Sequence, residues 1–184
     1  REYVTINRGT VAAGRTVVGS HCLLMAYVHV AHDCRLGNHV ILANNVNLAG
    51  HVEIEDYAIL EGLVAVQQFV RIGRHCFVAG GSLVRTHVPP YIRAAREPLA
   101  YVGINKVGLS RRQFSEELIG HIGDIYRILF VRGYNTGHAI EEIENLMPPT
   151  EQRQEIVDFV QQARLKGGIL KGVQKLNGVK VHED

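Results

Sequence analysis

Three short segments carry side chains able to do acid–base chemistry: HVAHD (His29 to Asp33), AGH (Ala49 to His51) and the pair Gln67 and Gln68. An imidazole can take a proton from a hydroxyl near neutral pH, and an adjacent carboxylate can orient it. A backbone N–H on a residue without a side chain can hold a developing oxyanion. His32, with Asp33 beside it, is the candidate base, and Gly50 is the candidate oxyanion donor. Asp33 and His51 are eighteen residues apart, His32, Gly50 and Gln68 follow the same interval, and His29 and Gln67 lie close by in phase. Histidines on a surface are in most cases only solvated side chains, and His21, His39, His75 and His87 are read that way. His32 is set apart by the company it keeps.

The interval of eighteen comes from a shorter repeat. Stepping by six from Val18 meets Leu24, Val30, Leu36, Leu42, Leu48, Ile54, Leu60, Val66, Ile72, Val78 and Val84, all branched aliphatics. Two residues earlier runs a column of small residues from Thr16 through Val28, Val40, Val52 and Val64 to Ser82. Cys22, Cys34 and Cys76 all fall in that column, so each reads as a small buried hydrophobe. Their spacing suggests neither a disulfide framework nor a zinc site. A period of six fits neither a helix nor an isolated strand, and implies short strands separated by corners. Three hexads make one triangular coil, and Gly19, Gly37, Glu55 and Gly73 mark one corner once per turn. Stacked coils satisfy each other's backbone groups and bury one continuous core.

The repeat fails at Pro90, inside VPPY. Ser115 is a plausible N-cap for an apolar-periodic segment (Leu118, Ile119, Ile122, Ile125, Leu129) closed by Gly133. Thr136 could cap a second helix to about Leu146, and Thr150 a third from Glu151 to Lys166. The expected organisation is a β-helix over 1–98 and an α-helical domain over 99–184, with the stretch from Lys166 onward frayed or loosely docked.

With 184 residues and a formal net charge of +2, the chain gives no electrostatic reason to expect nucleic acid. No apolar run is long enough to span a bilayer. Without a recognisable signal peptide the expected address is cytoplasmic. The sequence opens at Arg1 with a repeat already running, which suggests that an N-terminal part is missing.

The alternation of large aliphatic, Gly/Ala/Glu/Asp and small residue resembles the hexapeptide-repeat family, and that resemblance implies a left-handed parallel β-helix. The segment LLMAYVHVAHDCRLGNHVILANNVNLAGHVEIEDYAIL (Leu23 to Leu60) is similar to the UDP-N-acetylglucosamine O-acyltransferases of lipid A biosynthesis. The likeness continues through AVQQF, HVPPY (His87 to Tyr91), VGIN (Val102 to Asn105) and GLSRRQF (Gly108 to Phe114), and weakens towards the C-terminus. It implies that His32 deprotonates the sugar 3-hydroxyl, Asp33 supports His32, and Gly50 donates its N–H to the tetrahedral intermediate. The acyl donor would be a 3-hydroxyacyl chain on acyl carrier protein, with no cofactor, no metal and no covalent acyl-enzyme. His29, His51, Gln67 and Gln68 match positions that touch the nucleotide sugar or acyl chain. Asn105, Arg111 and Arg112 match the nucleotide-binding end, where paired guanidinium groups suit a diphosphate. Gly80, near Phe77, matches the acyl-length ruler, where glycine leaves room for a long tail.

Departures from the family are equally specific. Gln67 stands where many members have His, Val107 replaces a frequent acidic residue, and Phe77 replaces a common Met. A substrate-binding Lys of the family would fall before Arg1. The resemblance further implies a homotrimer with sites in the clefts between subunits, and no membrane insertion. Lys and Arg of the appendage could steer an acidic carrier protein, although a solvated face is the stronger reading for the tail lysines. Other readings stay open: a lipid A N-acyltransferase, a coenzyme A-dependent O-acetyltransferase, a β-helical metal hydrase and a non-catalytic solenoid. The hydrase needs three converging imidazoles, and here Asp33 takes the place beside His32 with no third ligand at a recognisable spacing.

Overall fold

The computed structural model describes residues 1–173, and within them the chain coils into a three-faced parallel β-helix capped by helices. Strands Thr5–Ile6, His29–Val30, Asn47–Leu48, Ala65–Val66 and Leu83–Val84 stack to form the first face. Val17–Val18, Arg35–Leu36, Glu53–Ile54 and Arg71–Ile72 form the second. Leu23–Leu24, Ile41–Leu42, Ile59–Leu60 and Phe77–Val78 begin the third. The partners His29 and Asn47, Arg35 and Glu53, and Ile41 and Ile59 fix the register at eighteen residues. From Thr5 to Ala65 the first N–H of each strand is paired with a carbonyl of the next coil, as in Leu23 N–H to the Val40 carbonyl at 2.9 Å.

Both expected columns point inward. Val30, Leu42, Leu48, Leu60, Ile72 and Val78 are completely buried, as are Val28, Val40, Val46, Val52, Ala58 and Val64. The cysteines behave as core residues. The Cys34 thiol donates to the Ala49 carbonyl at 3.1 Å and Cys76 to Pro89 at 2.7 Å, and burial pushes both thiols above their ordinary titration range.

Between strands the chain must turn onto the next face within four residues, and each corner uses one residue at positive φ. That residue recurs every six positions: His21, Tyr27, Asp33, His39, Asn45, His51, Tyr57, Leu63, Phe69 and His75 all lie between +56° and +65°. Asn, Asp and His tolerate this region better than other side chains, which explains why histidines gather at corners. One edge therefore stacks His21, His39, Tyr57, His75 and Tyr91 into a ladder with centroid spacings of 4.6 to 5.6 Å.

The six-residue register ends where Ile72 bridges Val88, sixteen residues on instead of eighteen. The third face nevertheless continues. Ile92–Ala95 adds parallel to Phe77–Val78, Ala100–Ile104 adds antiparallel, and Lys171–Gly172 closes the sheet. These strands were hidden in the sequence because they follow no six-residue period, and their sheet runs across the 98/99 division. The tail is also better anchored than expected. Leu170 is buried and its N–H donates to the His87 carbonyl, while residues 174–184, part of the stretch expected to fray, lie outside the described residues.

Four helices complete the molecule: α1 (Lys106–Arg111), α2 (Glu116–Phe130), α3 (Thr136–Leu146) and α4 (Glu151–Arg164). Ser115 and Thr150 cap α2 and α4 as their side chains predict, accepting from the N–H groups of Leu118 and Arg153. For α3 the cap is Asn135, one residue before the expected Thr136, because its side-chain oxygen accepts the His138 N–H at 3.0 Å. Helix α4 leans on the second face, where the Arg71 guanidinium sits 4.6 Å from the Phe159 ring and donates to Gln162 at 2.9 Å.

Two histidines expected in solvent are buried, at 5 % exposure each, because the C-terminal elements cover them. His87 accepts the Arg71 N–H on Nδ1 and meets the Lys166 carbonyl with Nε2 at 3.0 Å, so it clasps the last coil to the end of α4. His75 lies under Phe114 with its Nδ1 unpartnered among the described residues. Burial, and then the charges of Arg112 and Arg74, lower its pKa from an ordinary 6.5 to about 4. The unfolded chain therefore binds the extra proton between those values, and folding stability falls as pH drops from about 6.5 towards about 4. Replacing His75 by Phe keeps the stacked ring, removes the orphaned nitrogen and should flatten that slope. Urea denaturation at a series of pH values measures it.

Candidate active site

The corner between the first and second faces brings His32, Asp33, Gly50 and His51 together from two successive coils. Asp33 reaches this position through the positive-φ corner, and its carboxylate is completely shielded from solvent. Its Oδ2 lies 2.9 Å from His32 Nδ1 and 3.7 Å from His51 Nε2. A second set of donors was invisible in the repeat. Thr10 gives its N–H to Asp33 Oδ1 at 2.9 Å and its hydroxyl to Oδ2 at 2.6 Å. The Thr10 hydroxyl, against the opposing effect of burial and with help from His32, holds the Asp33 pKa down to about 2.

An ionised carboxylate can only accept, so the His32 nitrogen facing it carries a proton. That leaves Nε2 of the neutral ring as the basic nitrogen. The ring is 39 % exposed, stands edge-on to His51 at 5.3 Å, and lies over Gly50. A Cβ at Gly50 would come within 2.6 Å of His32 Cε1 and 2.8 Å of Nε2, so only glycine fits beneath this imidazole. At the neighbouring edge the corresponding N–H groups of Ser20, Asn38 and Arg74 are taken by the side chains of Asn38, Asp56 and Glu55. Among the described residues the N–H of Gly50 has no such partner. A base and an uncommitted N–H thus lie side by side.

The other expected residues divide among the three edges. His29 sits on the first face beside this corner, with Nδ1 2.7 Å from the Thr5 hydroxyl, and Gln67 and Gln68 are exposed one coil further along. Arg112 lies at the ladder edge, 5.1 Å from the Tyr57 ring and donating to the Gly108 carbonyl, while Arg111 is exposed nearby on α1. Asn105 is buried and spends both ends of its amide internally, donating to the His75 carbonyl and accepting from Gly108 as the cap of α1. Gly80 stacks on Gly62 at the third edge, and Phe77 on the adjoining face carries Arg93 over its ring at 5.8 Å. A single chain does not bring these three groups together. What the sequence reading missed is Thr10, which lies in the twelve-residue step from Ile6 to Val18; that step keeps the six-residue phase but lengthens the first coil from eighteen residues to twenty-four.

Among the described residues, the one group with metal-ligand spacing is His32, Asp33 and His51, whose donor atoms lie within 4.8 Å of one another. The third donor is His51, which the interval of eighteen sets beside Asp33. The group is two imidazoles and a carboxylate, however, and not the three imidazoles of a hydrase site.

Residues 87–170 match the family described as UDP-N-acetylglucosamine O-acyltransferase, domain 2, and residues 15–50 match the bacterial transferase hexapeptide repeats. The UDP-N-acetylglucosamine acyltransferase of Francisella novicida superposes with a TM-score of 0.84 at 36 % identity, over 98 % of this chain and 70 % of that one. The chain belongs to the UDP-N-acetylglucosamine O-acyltransferase family. The Bacteroides fragilis acyltransferase gives a TM-score of 0.86 at 43 % identity over 93 % of this chain and 65 % of its own. The Halorhodospira halophila acyl-acyl carrier protein–UDP-N-acetylglucosamine O-acyltransferase is 42 % identical over 161 residues, 87 % of this chain and 62 % of that protein. The chain thus spans about six tenths of the length of such curated relatives.

The packing of His32 on Gly50 makes a direct prediction for this acyltransferase-family site. Gly50 has no positive φ, so Gly50→Ala should leave the backbone intact while displacing the imidazole. The expected result is a denaturation midpoint close to the parent's and a changed set of His32 side-chain resonances in two-dimensional NMR. Resonances identical to the parent's would contradict the packing argument.

Proposed function

We propose that the protein transfers a 3-hydroxyacyl chain from acyl carrier protein to the 3-hydroxyl of UDP-N-acetylglucosamine, the first step of lipid A biosynthesis. The observation that carries this reading is the contact between His32 and a buried, ionised Asp33, with the opposite ring nitrogen lying over Gly50, whose N–H is uncommitted among the described residues. His32 Nε2 takes the hydroxyl proton as the sugar oxygen attacks the thioester carbonyl. The Gly50 N–H stabilises the resulting oxyanion. Collapse of the tetrahedral intermediate expels the carrier thiolate, which recovers the proton from His32. Neither Cys34 nor Cys76 is placed to act as a nucleophile, since both thiols are buried and bonded to carbonyls.

The separation of His32, Arg112 and Gly80 on three edges supports a site built between copies of the chain, a homotrimer in which neighbours complete each cleft. The outward residues of the third face, Leu23, Ile41, Ile59 and Phe77, are all apolar, whereas those of the second include Arg35, Glu53 and Arg71. That asymmetry suits a face covered by a neighbour. Arg111 and Arg112 would then hold the diphosphate from the adjoining subunit, His29, His51, Gln67 and Gln68 would contact sugar and acyl chain, and Gly80 with Phe77 would limit acyl length. Asn105 would act by holding α1 in place. No helix among the described residues is long and apolar enough to cross a membrane; the reading places the enzyme in the cytoplasm, with no cofactor.

Replacing His32 by Ala should lower acyl transfer to UDP-N-acetylglucosamine by about 10²- to 10⁴-fold while leaving the oligomer unchanged in size-exclusion chromatography. Transfer at the parental rate, or turnover only with an amino-sugar acceptor, would overturn the assignment.

A further inference from the structure

The first coil breaks the register that every complete later coil obeys. Thr5 pairs with His29, twenty-four residues away, where the following strands pair at eighteen. The six surplus residues belong to a loop between Ile6 and Thr16, and that loop folds over the edge carrying His32 and Asp33. It is closed by its own geometry: any side chain at Gly9 would collide with the Arg15 backbone. Within it, the Ala12 N–H donates to the Thr10 hydroxyl oxygen at 3.2 Å, which turns the hydroxyl hydrogen towards Asp33. The neighbouring Thr16 accepts the Asp33 N–H at 2.9 Å, so the corner residue is held by backbone and side chain alike.

These contacts fill Asp33 in a defined order. Oδ1 takes the Thr10 N–H, and Oδ2 takes the Thr10 hydroxyl together with His32 Nδ1. His51 Nε2, at 3.7 Å from the same oxygen, stays outside hydrogen-bond range. Without the Thr10 hydroxyl, Oδ1 keeps the Thr10 N–H but Oδ2 loses one of its two donors, and His51 becomes a competing donor to that oxygen. We infer that Thr10 is a positioning residue: its two hydrogen bonds lock the Asp33 carboxylate so that His32 carries its proton on Nδ1 and presents Nε2 as the base. The inserted loop is then part of the active-site machinery, although it has no need to touch a substrate. This role rests on the reading of His32 as the general base.

The test compares Thr10→Val with Thr10→Ser, using Thr10→Ala where the Val variant does not fold. Nitrogen-15 NMR of the neutral His32 ring reads its tautomer without any substrate. The parent should be mainly protonated on Nδ1, the Val variant should shift towards a mixture, and Ser should restore the parental state. In acyl-transfer assays the Val variant should lose about 10- to 100-fold in kcat, the usual cost of removing an orienting partner. Its KM for UDP-N-acetylglucosamine should stay within about twofold, and Ser should recover most of the rate. A parental tautomer in Thr10→Val, or a Ser variant no better than Val, would overturn the proposal. Failure of the functional reading would look different, since His32→Ala would then retain activity while the tautomer shift persisted.

Discussion

A chain that turns every six residues needs a corner that compresses the backbone, and this one meets the need with a left-handed residue at each of ten successive corners. An L-residue held there costs about 1–2 kcal/mol, so the conformation persists only because neighbouring coils over-determine it. The strand ladders supply that constraint, since each coil's N–H groups are fixed by the carbonyls of the next. Everything chemical in the molecule follows from the corner. Nine of the ten residues held there are short polar or aromatic ones, Leu63 being the exception, and the repeat stacks them in columns along three edges. A column of such side chains is a surface decoration at one edge and a candidate active site at another. The difference lies in what else arrives at each edge.

At the ladder edge the arrivals are Phe114, Arg112 and the C-terminal elements, which bury His75 and leave it neutral. At the edge of Asp33 and His51 the arrival is the loop bearing Thr10. It brings hydrogen-bond donors instead of apolar cover, so the buried group at this edge is kept charged. The same kind of corner thus yields a desolvated neutral imidazole in one column and an ionised carboxylate in the next. His32 itself is one residue away from the corner, half in solvent, and inherits its orientation from Asp33. Burial of the orienting group and exposure of the working group are both consequences of that single-residue offset.

The regular part of this arrangement was legible in the amino-acid sequence. Aliphatic and small columns identify the coil, and phase arithmetic puts Asp33 beside His51 and His32 over Gly50, as they lie in the structure. The cysteines were correctly placed in the core because they share the small column. What the repeat could not show is anything that leaves its phase. Thr10 sits in an insertion, so counting in eighteens passes over it. The strands at Ile92–Ala95 and Ala100–Ile104 lack the period, and the burial of His75 and His87 depends on elements distant in sequence. Asn105 illustrates a different limit. Its motif marked it as a ligand contact, and the structure adds two bonds that the motif could not show, one capping α1 and one to the His75 carbonyl.

The same geometry constrains where a complete site can form. A solenoid is rigid across its section, so residues on different edges cannot approach one another by rearranging a single chain. His32 projects from one edge, Arg112 from the second and Gly80 from the third, with the filled core between them. On the function proposed above, a substrate that needs a base, a diphosphate clamp and a tail groove would therefore be read by more than one copy. Parallel packing of identical prisms satisfies this without any change in the coil, because it sets one edge of each copy against a different edge of its neighbour. The apolar outer row of the third face and the charged outer row of the second then have separate tasks. One is suited to the contact between copies, while the other is already engaged by α4 through Arg71 and Arg74. Division of labour between faces follows from a repeat in which inward positions are nearly invariant in type and outward positions are free to differ.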